Sequence, residues 1–162
     1  METNTREKSK KLEVVLWSLA LPGFGQLLNG KYVKGLLLVG LEFLINVMGN
    51  FNTIIVLSFN LRNTEAIEET NYLWLMFYSC LYFFSIWDAY KDAGGGKGKP
   101  FAYLPMVFSA YFVTVGIIFS PRLAFFGHLI GPMWSGFFFF PVGLGIGALI
   151  RWILLRVYEK EA

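Results

Sequence analysis

The sequence predicts an all-α membrane protein, and its composition and hydropathy pattern are the observations that favour this class. Of its 162 residues, 56% are hydrophobic and 15% are charged, a balance too apolar for an ordinary soluble domain. A bilayer core about 30 Å thick requires roughly 20 apolar residues per helix. The predicted transmembrane helices are residues 36–59, 72–90, 101–120 and 134–157. The polar stretches between them are short, so a single integral membrane domain over residues 1–162 is expected.

The charged residues and the cysteine exclude several functional classes. The net charge is +3, but the cations stand at the ends of apolar segments and form no basic stripe interleaved with aromatic residues. Nucleic acid is therefore not expected as a partner. Cys80 is the only cysteine and lies inside an apolar run, so the sequence offers neither a disulfide framework nor a cysteine metal site.

The N-terminal segment consists of a basic tail, residues 1–12, followed by a short apolar run that is interrupted by Pro22 and Gly23. Two interpretations compete for this run. In the first, residues 13–35 form a re-entrant or interfacial helical hairpin. In the second, Lys8, Lys10 and Lys11 begin a signal peptide, although no convincing small-residue cleavage site follows.

The positive-inside rule favours the hairpin. If residues 13–28 enter and leave on one side, twelve cations lie on the inner face and two on the outer face; if they span the membrane, the ratio is 6 to 8. The twelve inner cations are Arg6, Lys8, Lys10, Lys11, Lys31, Lys34, Lys91, Lys97, Lys99, Arg151, Arg156 and Lys160, and the outer pair is Arg62 and Arg122. Both termini are then cytoplasmic, and the acidic loop at Glu65, Glu68 and Glu69 faces outward.

The predicted reversal of the chain depends on proline, glycine and amide side chains. Proline removes a backbone donor and glycine tolerates positive φ, while amide side chains satisfy backbone groups that a turn inside lipid leaves unpaired. The turn residues are Pro22, Gly23, Gly25, Gln26, Asn29, Gly30 and Gly35. Lys31 and Lys34 are expected to anchor the exit at the lipid headgroups. A structural hairpin is one interpretation, and an ion or ligand site at a broken helix is the other.

The pattern Pro22-Gly-x-Gly-Gln-x-x-Asn-Gly-x-x-x-Lys-Gly35 resembles an element near the N-termini of small bacterial membrane proteins related to the TM2-domain group. It is also similar to the N-terminal segment of some sugar ABC-transporter permeases. The resemblance covers roughly residues 16–93 and includes a later motif, Asp88-Ala-Tyr-Lys-Asp-Ala93, that closes the helical hairpin in the small proteins. The chain departs from the group at Gln-Leu-Leu-Asn and adds two further helices. The resemblance implies a hairpin module and no particular reaction.

Asp88 falls at the cytoplasmic end of the second predicted span. A carboxylate at the edge of the bilayer is costly unless it is paired. We therefore predict that Asp88 contacts Lys31, Lys34 or the free amides of the turn, and count it among the interfacial anchors. A solvated aspartate beside Lys91 and Asp92 is the alternative.

Three polar residues recur at intervals of four in the first predicted span, which places Glu42, Asn46 and Asn50 on one helix face. Three roles are open for this polar stripe: interhelical hydrogen bonding, a cavity for a polar solute or cation, and a partner-binding surface. Glu42 is the best single candidate for a functional residue because a carboxyl at that depth has to be protonated or paired. Arg151 is its candidate partner.

Small residues indicate where helices pack closely. Gly143 and Gly147 have the Gly-x-x-x-Gly spacing that permits close helix approach. The same spacing recurs at Gly127 and Gly131 in an apolar outer segment, residues 123–131, which is expected to dip into the outer interface before Pro132 breaks the helix.

The sequence contains no recognisable catalytic or metal-binding motif. His128 is the only histidine and has no cluster of ligands around it. The glycine-rich residues 94–100 lack the Walker pattern and are interpreted as a flexible cytoplasmic connector, whose lysines face anionic headgroups. Neither a cofactor nor enzymatic activity is expected.

These observations predict a multi-pass protein of a bacterial cytoplasmic membrane, with the lipid bilayer and either another membrane protein or a second copy of the chain as partners. The favoured function is that of a small accessory or scaffold subunit of a membrane complex. The alternative is an oligomeric transporter, channel or lipid-handling protein whose polar path is lined by Glu42, Asn46 and Asn50.

Overall fold

The computed structural model describes the backbone of residues 2–161 and the side chains of residues 5–158, so Met1, Ala162 and the side chain of Lys160 lie outside the described residues. Within that range the chain is mostly helical, as predicted, with one short β-hairpin. The helices are α1 (Glu2–Ala20), α2 (Phe24–Leu28), α3 (Tyr32–Met48), α4 (Phe51–Phe59), α5 (Asn63–Glu69), α6 (Tyr72–Asp92), α7 (Leu104–Phe119) and α8 (Gly131–Glu161). The strands β1 (Ala124–Phe125) and β2 (His128–Leu129) pair antiparallel.

The N-terminal segment is helical from Glu2, so the basic tail predicted over residues 1–12 belongs, where it is described, to the first turns of α1. The helix stops at Ala20, directly before Leu21-Pro22-Gly23, and α2 begins at Phe24. The predicted interruption at Pro22 and Gly23 is confirmed.

The prediction of one continuous helix over residues 36–59 is wrong. Helix α3 ends at Met48 and α4 begins at Phe51, with a bend of 64° between the two. Asn50 stands at the break with φ 55°, a left-handed conformation that asparagine adopts more readily than most residues. Its side-chain amide also donates a hydrogen bond to the Glu69 carbonyl oxygen at 3.1 Å, which ties the break to the end of α5.

Helix α6 runs through the middle of the fold, with α1, α2, α3 and α7 packed against it. One buried cluster, Leu38, Ile45 and Leu81, lies between α3 and α6. A second cluster, Ile54, Ala66, Leu75 and Ile117, lies where α4, α5, α6 and α7 meet. The acidic stretch expected as a loop is the short helix α5, which buries Ala66 beneath its three exposed glutamates.

The outer segment before α8, predicted to dip into the outer interface, is a β-hairpin. Phe126 and Gly127 form its turn, with φ of 49° and 82°, the positive values that a tight two-residue hairpin turn requires. The Asn63 amide donates to the Leu129 carbonyl oxygen at 2.9 Å and fastens the hairpin to α5. The expected break at Pro132 is also wrong, because proline fits the first turn of a helix and α8 already begins at Gly131.

Among the described helices, α8 is long and apolar enough to cross a membrane over Gly131–Tyr158. The bent pair α3 and α4 is also long and apolar enough when the two helices are counted as one span. Helix α7 is apolar but has 16 residues.

Candidate functional site

The reversal at Pro22 and Gly23 requires a residue without a side chain. Gly23 has φ 104°, and a Cβ atom there would lie 2.6 Å from the Gly35 carbonyl oxygen and 2.9 Å from the Val39 nitrogen. Its backbone N–H donates to the Ser85 hydroxyl at 3.2 Å. The turn is therefore held between the start of α3 and the middle of α6.

The two amide side chains predicted to satisfy this turn both donate to α6. The Gln26 amide nitrogen lies 2.9 Å from the Ser85 carbonyl oxygen, and the Asn29 amide nitrogen lies 2.8 Å from the Ala89 carbonyl oxygen. Gln26 is fully buried, and its Oε1 has no hydrogen-bond partner among the described residues. Both amides thus form hydrogen bonds with backbone groups, but these groups belong to α6 and not, as was predicted, to the turn.

Asp88 is the centre of the polar contacts. The Lys34 ammonium donates to Asp88 Oδ1 at 2.8 Å and to Oδ2 at 3.0 Å, and Gln26 donates to the same Oδ2 at 3.0 Å. Lys34 also contacts Asp92 Oδ2 at 2.9 Å. The predicted pairing of Asp88 is confirmed for Lys34 and for the amide of Gln26. Lys31 is exposed and forms no ion pair with Asp88.

Glycine at two further positions allows the hairpin to approach its neighbours closely. A Cβ atom on Gly25 would lie 2.0 Å from the Ser18 hydroxyl and 2.8 Å from the Ala89 Cβ atom, so α1, α2 and α6 meet at this point. A Cβ atom on Gly35 would lie 2.5 Å from the Leu27 side chain. Gly30 has φ 73° and open space around it, so glycine is favoured at this position by the backbone conformation and not by close packing.

The hairpin rises and descends along α6. Near the end of α1, the Leu19 carbonyl oxygen accepts a hydrogen bond from the Tyr82 hydroxyl at 2.7 Å. The returning chain contacts successively later positions of α6, first Ser85 and then Ala89. Tyr82, Ser85 and Ala89 all belong to the C-terminal half of α6, so both the end of α1 and the chain that follows the turn lie beside that half.

Earlier in α1, Lys11 Cε lies 3.7 Å from the position of a Cβ atom on Gly94, and after the hairpin Lys34 contacts Asp92. The chain therefore enters and leaves the hairpin near the C-terminal end of α6.

Glu42 lies apart from this cluster, on the face of α3 toward α6. The side chain is 7% exposed, the Tyr78 hydroxyl interacts with its carboxyl group, and Oε2 has no hydrogen-bond partner among the described residues. The proposed partnership with Arg151 is wrong, because Arg151 Nε donates to the Pro100 carbonyl oxygen at 3.2 Å. The carboxyl group therefore faces a tyrosine at this point and not a cation.

The polar stripe predicted on one face of the first span does not form as a unit. Glu42 and Asn46 share a face of α3, but the helix ends before Asn50. Asn46 contacts the Asn52 side chain at 3.4 Å, whereas exposed Asn50 donates to the backbone of Glu69. The break at Gly49 and Asn50 separates the stripe because the helical period stops there.

The prediction of close helix approach at Gly143 and Gly147 is confirmed. A Cβ atom on Gly143 would lie 2.6 Å from the Ser109 Cα atom, and one on Gly147 would lie 2.6 Å from the Pro105 Cα atom. The partner surface is α7 of the same chain. This glycine face is therefore covered within the chain.

Sequence reasoning missed Ser85, Tyr78 and Tyr82 as polar partners of the N-terminal half. Ser85 precedes Asp88 by three positions and Asp92 follows it by four, a spacing that places all three on one face of a helix. The predicted helix over residues 72–90 contains Ser85 and Asp88 but ends before Asp92, so the sequence indicated only part of this face. The tyrosines gave no signal, because aromatic residues are frequent throughout this chain.

Together these contacts define a polar joint that closes a helical hairpin onto a long helix. In the part of the chain that is described, no group of three or more histidine, cysteine, aspartate or glutamate residues is arranged to hold a metal ion. The comparison with protein-family models, curated proteins and solved structures finds no match. The resemblance to the TM2-domain group and to sugar permeases stays a prediction.

Proposed function

We propose that the chain is a four-span integral protein of a bacterial cytoplasmic membrane, with both termini in the cytoplasm. The spans are α3 with α4, then α6, α7 and α8. The hairpin formed by α1 and α2 supports this topology, because Lys11 before it and Lys34 after it both lie near the C-terminal end of α6, as the distribution of lysine and arginine requires. In this arrangement the Lys34 and Asp88 pair lies at the inner edge of the bilayer.

Labelling of single cysteines tests this topology in a Cys80→Ser background. Glu68→Cys, in α5, is expected to react with a membrane-impermeant maleimide on intact spheroplasts, whereas Lys97→Cys is expected to react after the membrane is opened. Both native residues are exposed to solvent in the protein itself. Equal labelling of the two positions in intact spheroplasts would refute the four-span arrangement.

Within that topology, we infer a non-enzymatic role as an accessory or scaffold subunit that binds another membrane protein. The observation that carries this inference is the internal use of the polar side chains: Gln26, Asn29, Lys34 and Asp88 bind α6 or one another. The polar side chains around the broken helix, where an ion or ligand site was the alternative interpretation, thereby hold the hairpin in place. The outward surface is rich in large apolar side chains such as Phe43, suited to lipid and to other helices.

Purification of the tagged chain from its native membrane at endogenous abundance tests the accessory role. A stoichiometric membrane-protein partner is expected to co-purify in mild detergent. The Asp88→Asn variant is purified in the same way. Its loosened hairpin is expected to reduce recovery of the partner. A chain recovered alone, folded and monomeric would contradict the accessory role.

One observation favours the second candidate function, an oligomeric transporter or channel. Glu42 is buried with one carboxyl oxygen unpaired in the described structure, and the α3–α4 break lies less than two turns beyond it. Buried carboxyls and broken helices are common in ion and proton paths. Proteoliposomes loaded with a pH-sensitive dye test this function: Glu42→Gln should abolish proton or cation flux, and Glu68→Gln, in exposed α5, should leave it unchanged.

A further inference from the structure

A second polar feature lies outside the hairpin joint, where α6 ends and α7 begins. It is a cleft of about 440 Å³. The side chains that line it are basic and aromatic: Trp87, Lys91, Lys97, Lys99, Phe101 and Tyr103. Among the residues whose side chains the structure describes, no acidic side chain lines the cleft.

The glycine-rich connector, residues 94–100, forms one wall of this cleft. Gly94, Gly96 and Gly98 have φ of 81°, 70° and 68°. A Cβ atom on Gly96 would lie 2.9 Å from the Trp87 ring, and one on Gly95 would lie 2.4 Å from the Tyr90 ring. The backbone is thus pressed against α6, and the alternating left-handed glycines set the course of the loop.

Contacts from α8 fasten the other end of the connector. Arg151 Nε donates to the Pro100 carbonyl oxygen at 3.2 Å, and the rings of Phe101 and Tyr158 lie 5.2 Å apart. The ring of Trp87 meets that of Tyr103 edge-on at 6.3 Å across the cleft. The cleft is therefore lined by the end of α6 and by the connector, which α8 holds in place.

The groups that face this cleft are donors and cations. Two residues of this wall, Gly96 and Lys97, have backbone N–H groups without a backbone acceptor among the described residues. The positive end of the α7 dipole lies at Tyr103 beside them. Asp92, the acidic residue closest in sequence to Lys91, is held by Lys34 at 2.9 Å and does not line the cleft.

We propose that this cleft binds the phosphate group of an anionic ligand, carried either by a phospholipid headgroup or by a soluble phosphate compound. Lysine ammonium groups and unpaired backbone N–H groups are the usual donors to phosphate oxygens. The aromatic side chains at the rim suit the interfacial depth at which a lipid phosphate lies. The proposal concerns this cleft alone and does not depend on the accessory role.

Thermal unfolding of the full-length protein in a neutral detergent tests the site. Three titrations are compared: phosphatidylglycerol, phosphatidylcholine, and inorganic phosphate against chloride at matched ionic strength. The cleft variant combines Lys91→Gln, Lys97→Gln and Lys99→Gln. The control combines Lys8→Gln, Lys10→Gln and Lys31→Gln, which removes equal charge from exposed positions outside the cleft.

Phosphatidylglycerol or inorganic phosphate is expected to raise the midpoint of unfolding of the native protein, and phosphatidylcholine is not. The cleft variant should need on the order of tenfold more ligand for half-saturation, and the control less than about twofold more. A response to phosphatidylglycerol alone identifies the lipid headgroup, and a response to inorganic phosphate identifies a soluble group as sufficient. If the cleft variant does not fold, the single change Lys97→Gln makes the same comparison.

The absence of any response in the native protein would overturn the proposal. So would an equal loss in the cleft variant and the control, since that result would assign the response to the diffuse positive field of the whole inner face.

Discussion

The ammonium group of Lys34 bridges both carboxylate oxygens of Asp88, at 2.8 and 3.0 Å, across 54 residues of sequence. The two side chains come from different helices, α3 and α6, and the Asp88 side chain is 14% exposed while that of Lys34 is 40% exposed. Ordinary exposed ion pairs contribute little to stability. This one has a larger expected effect, because Asp88 also accepts a hydrogen bond from fully buried Gln26.

Replacing Asp88 by asparagine should lower the free energy of unfolding by about 1–2 kcal/mol, since it removes the charge that Lys34 and Gln26 both face. Denaturation in mild detergent measures the change. Lys31→Gln, at an exposed position, should stay within about 0.5 kcal/mol of the native protein. A double-mutant cycle with Lys34→Gln isolates the pair, and a coupling energy indistinguishable from zero would show that the two residues do not stabilise each other.

Gln26 gives the sharpest test of the buried joint. Gln26→Glu preserves shape but directs a carboxyl oxygen at two acceptors, the Ser85 carbonyl and the Asp88 carboxylate. We expect a loss of roughly 2–4 kcal/mol, because a buried donor becomes an unpaired acceptor. Gln26→Met removes the hydrogen bonds without adding a charge and should cost less. If the glutamate and methionine variants have the same free energy of unfolding, the hydrogen bonds of Gln26 do not determine stability at this position.

The local elements were predictable where one residue type dictates the backbone. Pro22 and Gly23 ended a helix as expected, and Gly143 and Gly147 marked a close helix contact. Pairing of Asp88 followed from the cost of an isolated carboxylate at a bilayer edge. Each of these features depends on a few neighbouring residues or on one large energetic cost, so it can be predicted from the sequence alone.

The break at Asn50 could not be predicted in this way. The apolar run on both sides of it is continuous, and a lone asparagine in an apolar stretch is compatible with an unbroken helix. The bend is stabilised by a contact distant in sequence, from the Asn50 amide to the Glu69 carbonyl oxygen. For the same reason Glu42 was assigned to Arg151, whereas the bend and the packing of α3 on α6 bring it to Tyr78.

The backbone conformation of Asn50 makes its replacement by glycine and by alanine differ in effect. Both variants lose the hydrogen bond to Glu69, but glycine accepts φ 55° without strain and alanine does not. Asn50→Ala should therefore be less stable than Asn50→Gly by about 1 kcal/mol. Thermal unfolding of the two purified variants measures the difference. Equal stabilities would indicate that the bend tolerates a right-handed residue at this position.

The glycine face between α7 and α8 provides an internal control. Gly143→Ala and Gly147→Ala each place a methyl group against the backbone of α7, at distances near 2.6 Å, whereas a Cβ atom on Gly145 meets nothing within 4 Å. The first two changes should each destabilise the protein by roughly 1–3 kcal/mol. Gly145→Ala should be neutral or slightly stabilising, because alanine favours the helix. Comparable losses at all three positions would argue against the close contact.

The ion pair of Arg62 and Glu65, at the start of α5, predicts how the stability of the protein depends on pH. Hydrogen bonding and the charge of Arg62 hold the pKa of Glu65 below its ordinary value. A lowered folded-state pKa stabilises the fold above the unfolded-state pKa, and this contribution is lost as pH falls through the folded-state value. Arg62→Gln should raise the pKa of Glu65 toward its ordinary value, as followed by carboxyl ¹³C NMR of the labelled protein. Its stability should converge with that of the native protein only in acid. Arg122→Gln, which removes the other cation of the same predicted face, should leave the titration of Glu65 unchanged; an equal shift in both variants would assign the effect to net charge instead of to this contact.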